Sequence, residues 1–129
     1  MKLFLDTNVI VAAVMHDTER SETAVSTLND FENTYTSVLN LMELRSVLTK
    51  KKRIERERVQ QIEQRLSSRT TVTFLDASDI LEANRLQEET LLYPMDALVL
   101  ATANSVDATL VSFDSELREH GAKLPQEIV

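Results

Sequence analysis

Four acidic residues of this chain stand where a carboxylate can do chemistry: Asp6, Glu43, Asp96 and Asp114. Asp6 closes the apolar run Lys2-Leu-Phe-Leu, and Asp114 follows Thr109-Leu-Val-Ser112 by two residues. Glu43 is flanked by Leu41, Met42 and Leu44, an awkward place for a charge unless it faces something polar. Asp96 opens the apolar stretch Met95 to Ala103, where a helix N-terminus would favour its anion. Two carboxylates ~5 Å apart repel by roughly 3 kcal/mol at an effective dielectric near 20. Four together must take up protons or hold a cation. Oxygen ligands alone suit Mg²⁺, with Mn²⁺ as the alternative. Such an ion activates water and offsets charge on a leaving oxygen, the chemistry of phosphoryl-transfer hydrolysis. Each acid also has a structural reading: an Asx turn at Asp6, helix caps at Asp96 and Asp114, and an ion pair with Arg45 or a distant arginine at Glu43.

The elements that would position these acids alternate. Strands are expected over Lys2 to Leu5, Thr34 to Ser37, Thr71 to Leu75 and Thr109 to Ser112, with a short last one around Ala122 to Leu124. Helices are expected over Asn8 to Met15 and Ser21 to Leu28, the second with Ser21 as a cap. Ser37 is placed to cap a helix whose apolar positions are Val38, Leu41, Leu44 and Leu48. A basic turn, Lys50 to Arg53, leads to a helix patterned by Val59, Ile62 and Leu66. Ser78 precedes one with Leu81, Ala83, Leu86 and Thr90 inward, and Pro94 punctuates before Met95 to Ala103. This order implies a single α/β domain over residues 1–129, a mainly parallel central sheet flanked by helices in three layers. Ligands of such sheets bind beyond the carboxyl ends of the strands, where Asp6 and Asp114 fall.

Net charge is −7, which by itself speaks against a polyanionic partner. Its distribution changes that. Residues 1–49 hold 3 basic and 7 acidic side chains, residues 50–69 hold 8 and 3, and residues 70–129 hold 3 and 11. Lys50, Lys51, Lys52 and Arg53 head the one basic segment and are the candidate phosphate contacts, against the plainer reading of a solvated helix face. The absence of cysteine excludes disulfides and thiolate metal sites. No apolar run approaches the ~20 residues of a membrane span, and a soluble, cytoplasmic protein is expected.

Four segments in order, Leu5-Asp6-Thr7-Asn8-Val9-Ile10, Glu43-Leu44, Met95-Asp96-Ala97-Leu98-Val99-Leu100-Ala101-Thr102-Ala103 and Leu110-Val111-Ser112-Phe113-Asp114, resemble the PIN-domain family, in particular its VapC-like toxin ribonucleases. The resemblance spans nearly the whole chain, and the Asp-Ala-Leu helix followed by a strand and Ser-x-Asp is its most specific part. It implies a parallel sheet, Asp6, Glu43, Asp96 and Asp114 as metal-binding acids, Asn8 and Ser112 as groups that orient them, and Ser37 as a hydroxyl near the site. It further implies cleavage of RNA with Mg²⁺ or Mn²⁺ to leave a 5′-phosphate, a homodimer, and restraint by a small antitoxin whose tail enters the groove. Phe113 departs from the pattern, since many members carry Arg or Lys there; substrate contact, rather than metal binding, is what this touches.

Other residues invite plainer readings. His16 and His120 are expected at the surface, Tyr93 and Phe113 in core or rim packing, and Arg45 either in an ion pair or on RNA. Surplus apolar residues in Asn8 to Met15 and Val38 to Leu48 are the expected source of a dimer contact. A phosphatase or phospho-acceptor domain would want Asp-x-Asp at the first strand, where Asn8 stands instead. A non-cleaving RNA- or protein-binding module would be favoured by loss of an acid, and all four are present; a housekeeping RNA-processing nuclease is not separable from a toxin by the acids.

Overall fold

A computed structural model of the chain describes residues 1–16 and 19–129. Its frame is a four-stranded sheet of β1 (Lys2–Leu5), β2 (Asn33–Ser37), β3 (Thr71–Thr73) and β4 (Thr109–Val111), in the order β3-β2-β1-β4 with every pairing parallel. Side chains alternate across a strand, and both faces of β1 are covered, so its run is apolar throughout. Leu3 and Leu5 enter a core with α1 (Thr7–Met15), α2 (Ser21–Asn29), α3 (Val38–Ser46) and α4 (Arg56–Arg69). Phe4 enters the opposite core with α5 (Ala77–Thr90), α6 (Pro94–Ser105) and α7 (Ser115–Glu119). A last turn, α8 (Pro125–Ile128), packs Ile128 on the first core. The result is the expected three-layer arrangement. No described helix is long and apolar enough to cross a membrane.

Several expectations are corrected. β3 stops at Thr73, paired with Ser37; there β2 ends and α3 begins, so Phe74 has no strand to pair with and is 77% exposed. The helix expected after Ser78 starts at Ala77, capped by Asp76, whose carboxylate accepts from the Ser78 and Asp79 amides while Asp79 accepts from the Asp76 amide. That closed box buries Asp79 and sets the inward stripe at Asp79, Ala83 and Leu86, leaving Leu81 on the far side, 69% exposed. Ser21 is not a cap but the buried first residue of α2, which begins after Arg20.

Lys50 and Lys51 are not in a turn either. α3 continues into a π-helical turn, Val47–Lys51, closed by the Lys52 amide on the Val47 carbonyl (3.0 Å); Arg53 then reverses the chain at φ 54°. The last expected strand contracts to one bridge between Lys123 and Val111, because Pro125 follows and lacks an N–H for the ladder.

Candidate active site

Asp6 leaves β1 at the sheet's carboxyl edge and immediately caps α1, accepting from the Thr7 amide at 2.9 Å. Burial pushes this carboxyl toward its neutral form, and two further side chains hold its oxygens in place. The Ser112 hydroxyl donates to Oδ2 at 2.7 Å and the Asn40 amide donates to Oδ1 at 3.2 Å. The net effect is still a raised pKa, caused first by desolvation and opposed by the Ser112 and Thr7 hydrogen bonds, with Glu43 and Asp114 adding like charge.

Ser112 is a hub. Fully buried after β4, it also accepts from the Asn8 side-chain amide (3.3 Å) and the Asp114 backbone amide (3.0 Å), and its own amide donates to the Lys123 carbonyl (2.9 Å). Asn8 therefore reaches the acids through Ser112, while its Oδ1 accepts from the Phe113 amide at 3.2 Å. Asp114 caps α7 by accepting from the Leu117 amide, so its structural and site readings hold together. Asp96 lies in the first turn of α6, fixed in φ by Pro94 and begun at Tyr93. Its pKa is raised to about 6, first by burial, then by Asp114, Asp6, Glu116 and Glu43.

Glu43 projects from α3 and is exposed; its neighbour Met42 is 63% exposed as well, so the apolar surroundings expected from the sequence are not there. Arg45 pairs with Glu63 of α4 at 3.5 Å, not with Glu43. One cleft of about 240 Å³ is lined by Asp6, Thr7, Asn8, Glu43, Val47, Asp96 and Asp114. All four candidate acids thus meet. Ser37 stands one step back, capping α3 through the Asn40 amide and donating to the Asn40 side chain. Lys50, Lys51, Lys52 and Arg53 are exposed and follow Val47 in the chain, the first two in the π-helical turn and the last two beyond it, outside the lining itself.

Two participants escape a reading of the sequence. Asn40, wholly buried, joins Ser37, Thr7 and Asp6; the Ser37-x-x-Asn40 spacing of a cap is its only signal. Glu116 contributes charge against Asp96, and its signal is the acid-x-acid spacing with Asp114. His16 and His120 are exposed, as expected. Tyr93 is 70% exposed rather than packed, whereas Phe113 is half-buried against the first core.

The donors in the cleft are all oxygens. Among the described residues no three acidic or histidine side chains are drawn together closely enough to grip one ion directly. A hard ion that keeps several waters and binds through one or two carboxylates fits such a cleft; burial is the main cause of the raised pKa of Asp6 and Asp96, and the smaller part that comes from their acidic neighbours is what a cation would relieve.

A three-layer parallel domain with carboxylates converging at the carboxyl ends of its strands, Asp6 after β1 and Asp114 after β4, is the class that fold and site define. The chain belongs to the PIN-domain family, whose model matches residues 3–123. No curated protein sequence matches significantly. Among solved structures, the chain is similar to Mycobacterium tuberculosis VapC20, described as a Sarcin-Ricin loop cleaving toxin (20% identity, TM-score 0.76, covering 94% of this chain and 96% of that one). It is similar to VapBC2 from Rickettsia felis, bound to a DNA fragment from their promoter (21%, 0.74, 96% and 96%), and to FitAcB from Neisseria gonorrhoeae (24%, 0.74, 96% and 98%). At these identities the likeness is one of fold.

Proposed function

We propose that this PIN domain is a divalent-metal-dependent endoribonuclease, the toxin of a toxin–antitoxin pair. In this reading it works in the cytoplasm as a homodimer held inactive by a small antitoxin. The observation that carries the reading is the cleft itself: four carboxylates, delivered by four separate segments, line one opening at the strand ends. Similarity in fold to toxins such as VapC20, and to the VapBC2 and FitAcB assemblies, supports the toxin role and the antitoxin partner.

Asp6, Glu43, Asp96 and Asp114 are the residues that would hold Mg²⁺, or Mn²⁺ in its place. The ion would supply an activated water and charge neutralisation at the leaving oxygen of an RNA phosphodiester. The chain's own contribution is orientation. Ser112 and Asn40 fix both oxygens of Asp6, and Asn8 steadies Ser112 from the other side, so the central carboxylate is preset before substrate arrives. Lys50, Lys51, Lys52 and Arg53 would neutralise the RNA backbone beyond Val47. An antitoxin tail bearing Arg or Lys would block the cleft by pairing with Asp6, Asp96 or Asp114.

Purified protein given Mg²⁺ should cut single-stranded RNA and stop with chelator, and expression alone should arrest growth unless Asp6 is changed to Asn. Cleavage that persists in excess chelator would overturn the metal mechanism. An active nuclease harmless to its host would point to housekeeping RNA processing.

A further inference from the structure

A phosphodiester entering this cleft meets carboxylates on every side, so something close by must attract it. Three arginines are engaged with acceptors elsewhere in the fold. Arg45 pairs with Glu63, Arg85 lies between Glu82 and Glu89, and Arg69 donates to the carbonyls of Asn29 and Phe31. Arg20 differs. Its guanidinium lies over the ring of Phe113, 4.6 Å from the centroid, and among the described residues no carboxylate pairs with it. An aromatic face holds a cation without cancelling its charge. Arginine stacked this way also keeps its planar fork of N–H donors, the group best suited to phosphate.

The ring that holds it is itself fixed to the site. Phe113 lies between Ser112 and Asp114, its amide donates to Asn8, and its side chain packs on the core while Arg20 stays exposed at the head of α2. We infer that Arg20, seated on Phe113, is a substrate-positioning residue that binds a phosphate of the RNA strand at the Asp114 rim of the cleft. This rests on the nuclease reading above. It differs from the role proposed for Lys50 to Arg53, for which no such seat is found among the described residues: the Arg20 charge is held at one place, on the ring of the residue that precedes Asp114.

The test uses the full chain with Mg²⁺ and a mixed-sequence single-stranded oligoribonucleotide. Arg20→Ala should raise KM about tenfold and leave kcat within about threefold. Binding of the same RNA to the cleavage-dead Asp96→Asn chain should lose about 0.7 from its logarithmic salt slope when Arg20→Ala is added, the share of one phosphate on a single strand. Arg20→Lys should restore the slope but only part of the KM, because the charge returns without the fork. Phe113→Leu, which keeps the apolar packing and removes the ring, should raise KM without lowering the melting temperature. A normal KM and slope in Arg20→Ala would overturn the assignment, as would a lowered melting temperature with KM unchanged, which makes the pair a structural staple. A parent chain that neither cuts nor binds the RNA fails before any variant is made, and that failure belongs to the nuclease reading.

Discussion

At the scale of single residues, Asp96 and Asn40 should respond in opposite ways. The Asp96 carboxyl, ordinarily near 3.8, is raised to about 6 by burial and by its acidic neighbours. Between those two values the folded chain binds more protons than the unfolded one, so metal-free stability falls as pH rises from about 4 to about 6 and is level above. Solvent reaches this half-buried group, which reduces the effect to on the order of 1–2 kcal/mol. Asp96→Asn removes the liability. It should abolish cleavage yet melt higher than the parent at pH 7 in chelator, with the difference vanishing near pH 4. A variant that melts lower at pH 7 would make Asp96 structural. Asn40→Ala should lose on both counts, because it strips hydrogen bonds from Ser37, Thr7 and Asp6 in a closed interior. Denaturant titration should show about 1–3 kcal/mol lost, with cleavage reduced at saturating metal.

Among the elements, the π-helical turn after α3 carries Lys50 and Lys51 away from the cleft that Val47 still lines. Replacing Lys51 and Lys52 by Gln should flatten the salt dependence of RNA binding by up to about 1.4, two phosphates on a single strand, without moving the cut site; an unchanged slope would return the segment to a solvated helix face. This turn is also where the sequence was least informative. Buried stripes such as Val59, Ile62 and Leu66 were legible because their spacing has one solution, and Asp6 and Asp114 because they terminate apolar runs. What set the remaining boundaries was tertiary. β3 is cut short by the end of its only partner, and α5 turns on a carboxylate–amide box that buries Asp79 in preference to Leu81. Asn40 was hidden for a related reason: a buried polar network is defined by who faces whom, and periodicity does not report that.

On the scale of the whole molecule, α1 offers the proposed dimer less apolar surface than its composition suggests, since Val9, Ile10, Ala12 and Ala13 are buried within one chain while Val11, Val14 and Met15 are partly covered. Among the described residues the large apolar side chains left exposed are Met1, Met42, Phe74, Ile80, Leu81, Leu91, Tyr93 and Val129, with Ile80 and Leu81 adjacent on α5. Light scattering at micromolar concentration should give about twice the 14.6 kDa chain mass, and Ile80→Lys with Leu81→Lys should reduce it to one. If the double variant keeps the parent's mass, association uses another face.

The hydroxyl that Ser112 lends to Asp6 joins residues 106 apart, and β1 itself is completed on that side by β4. Read in time rather than space, this makes the Asp6 network a late product of synthesis. Asp6 and Glu43 are translated early, and β2 can flank β1 early too, yet Asp6 has neither its second neighbouring strand nor its donor from Ser112 until the chain has passed β4 and its bridge at Lys123. Long-range parallel pairing of this kind is also slow to form. On the nuclease reading proposed above, a chain released before Thr109 should therefore be inactive. A chain ended at Asp107 should show neither a cooperative melt nor growth arrest. On the toxin reading proposed above, the delay would be an interval in which an antidote already present can meet the polypeptide before it is dangerous.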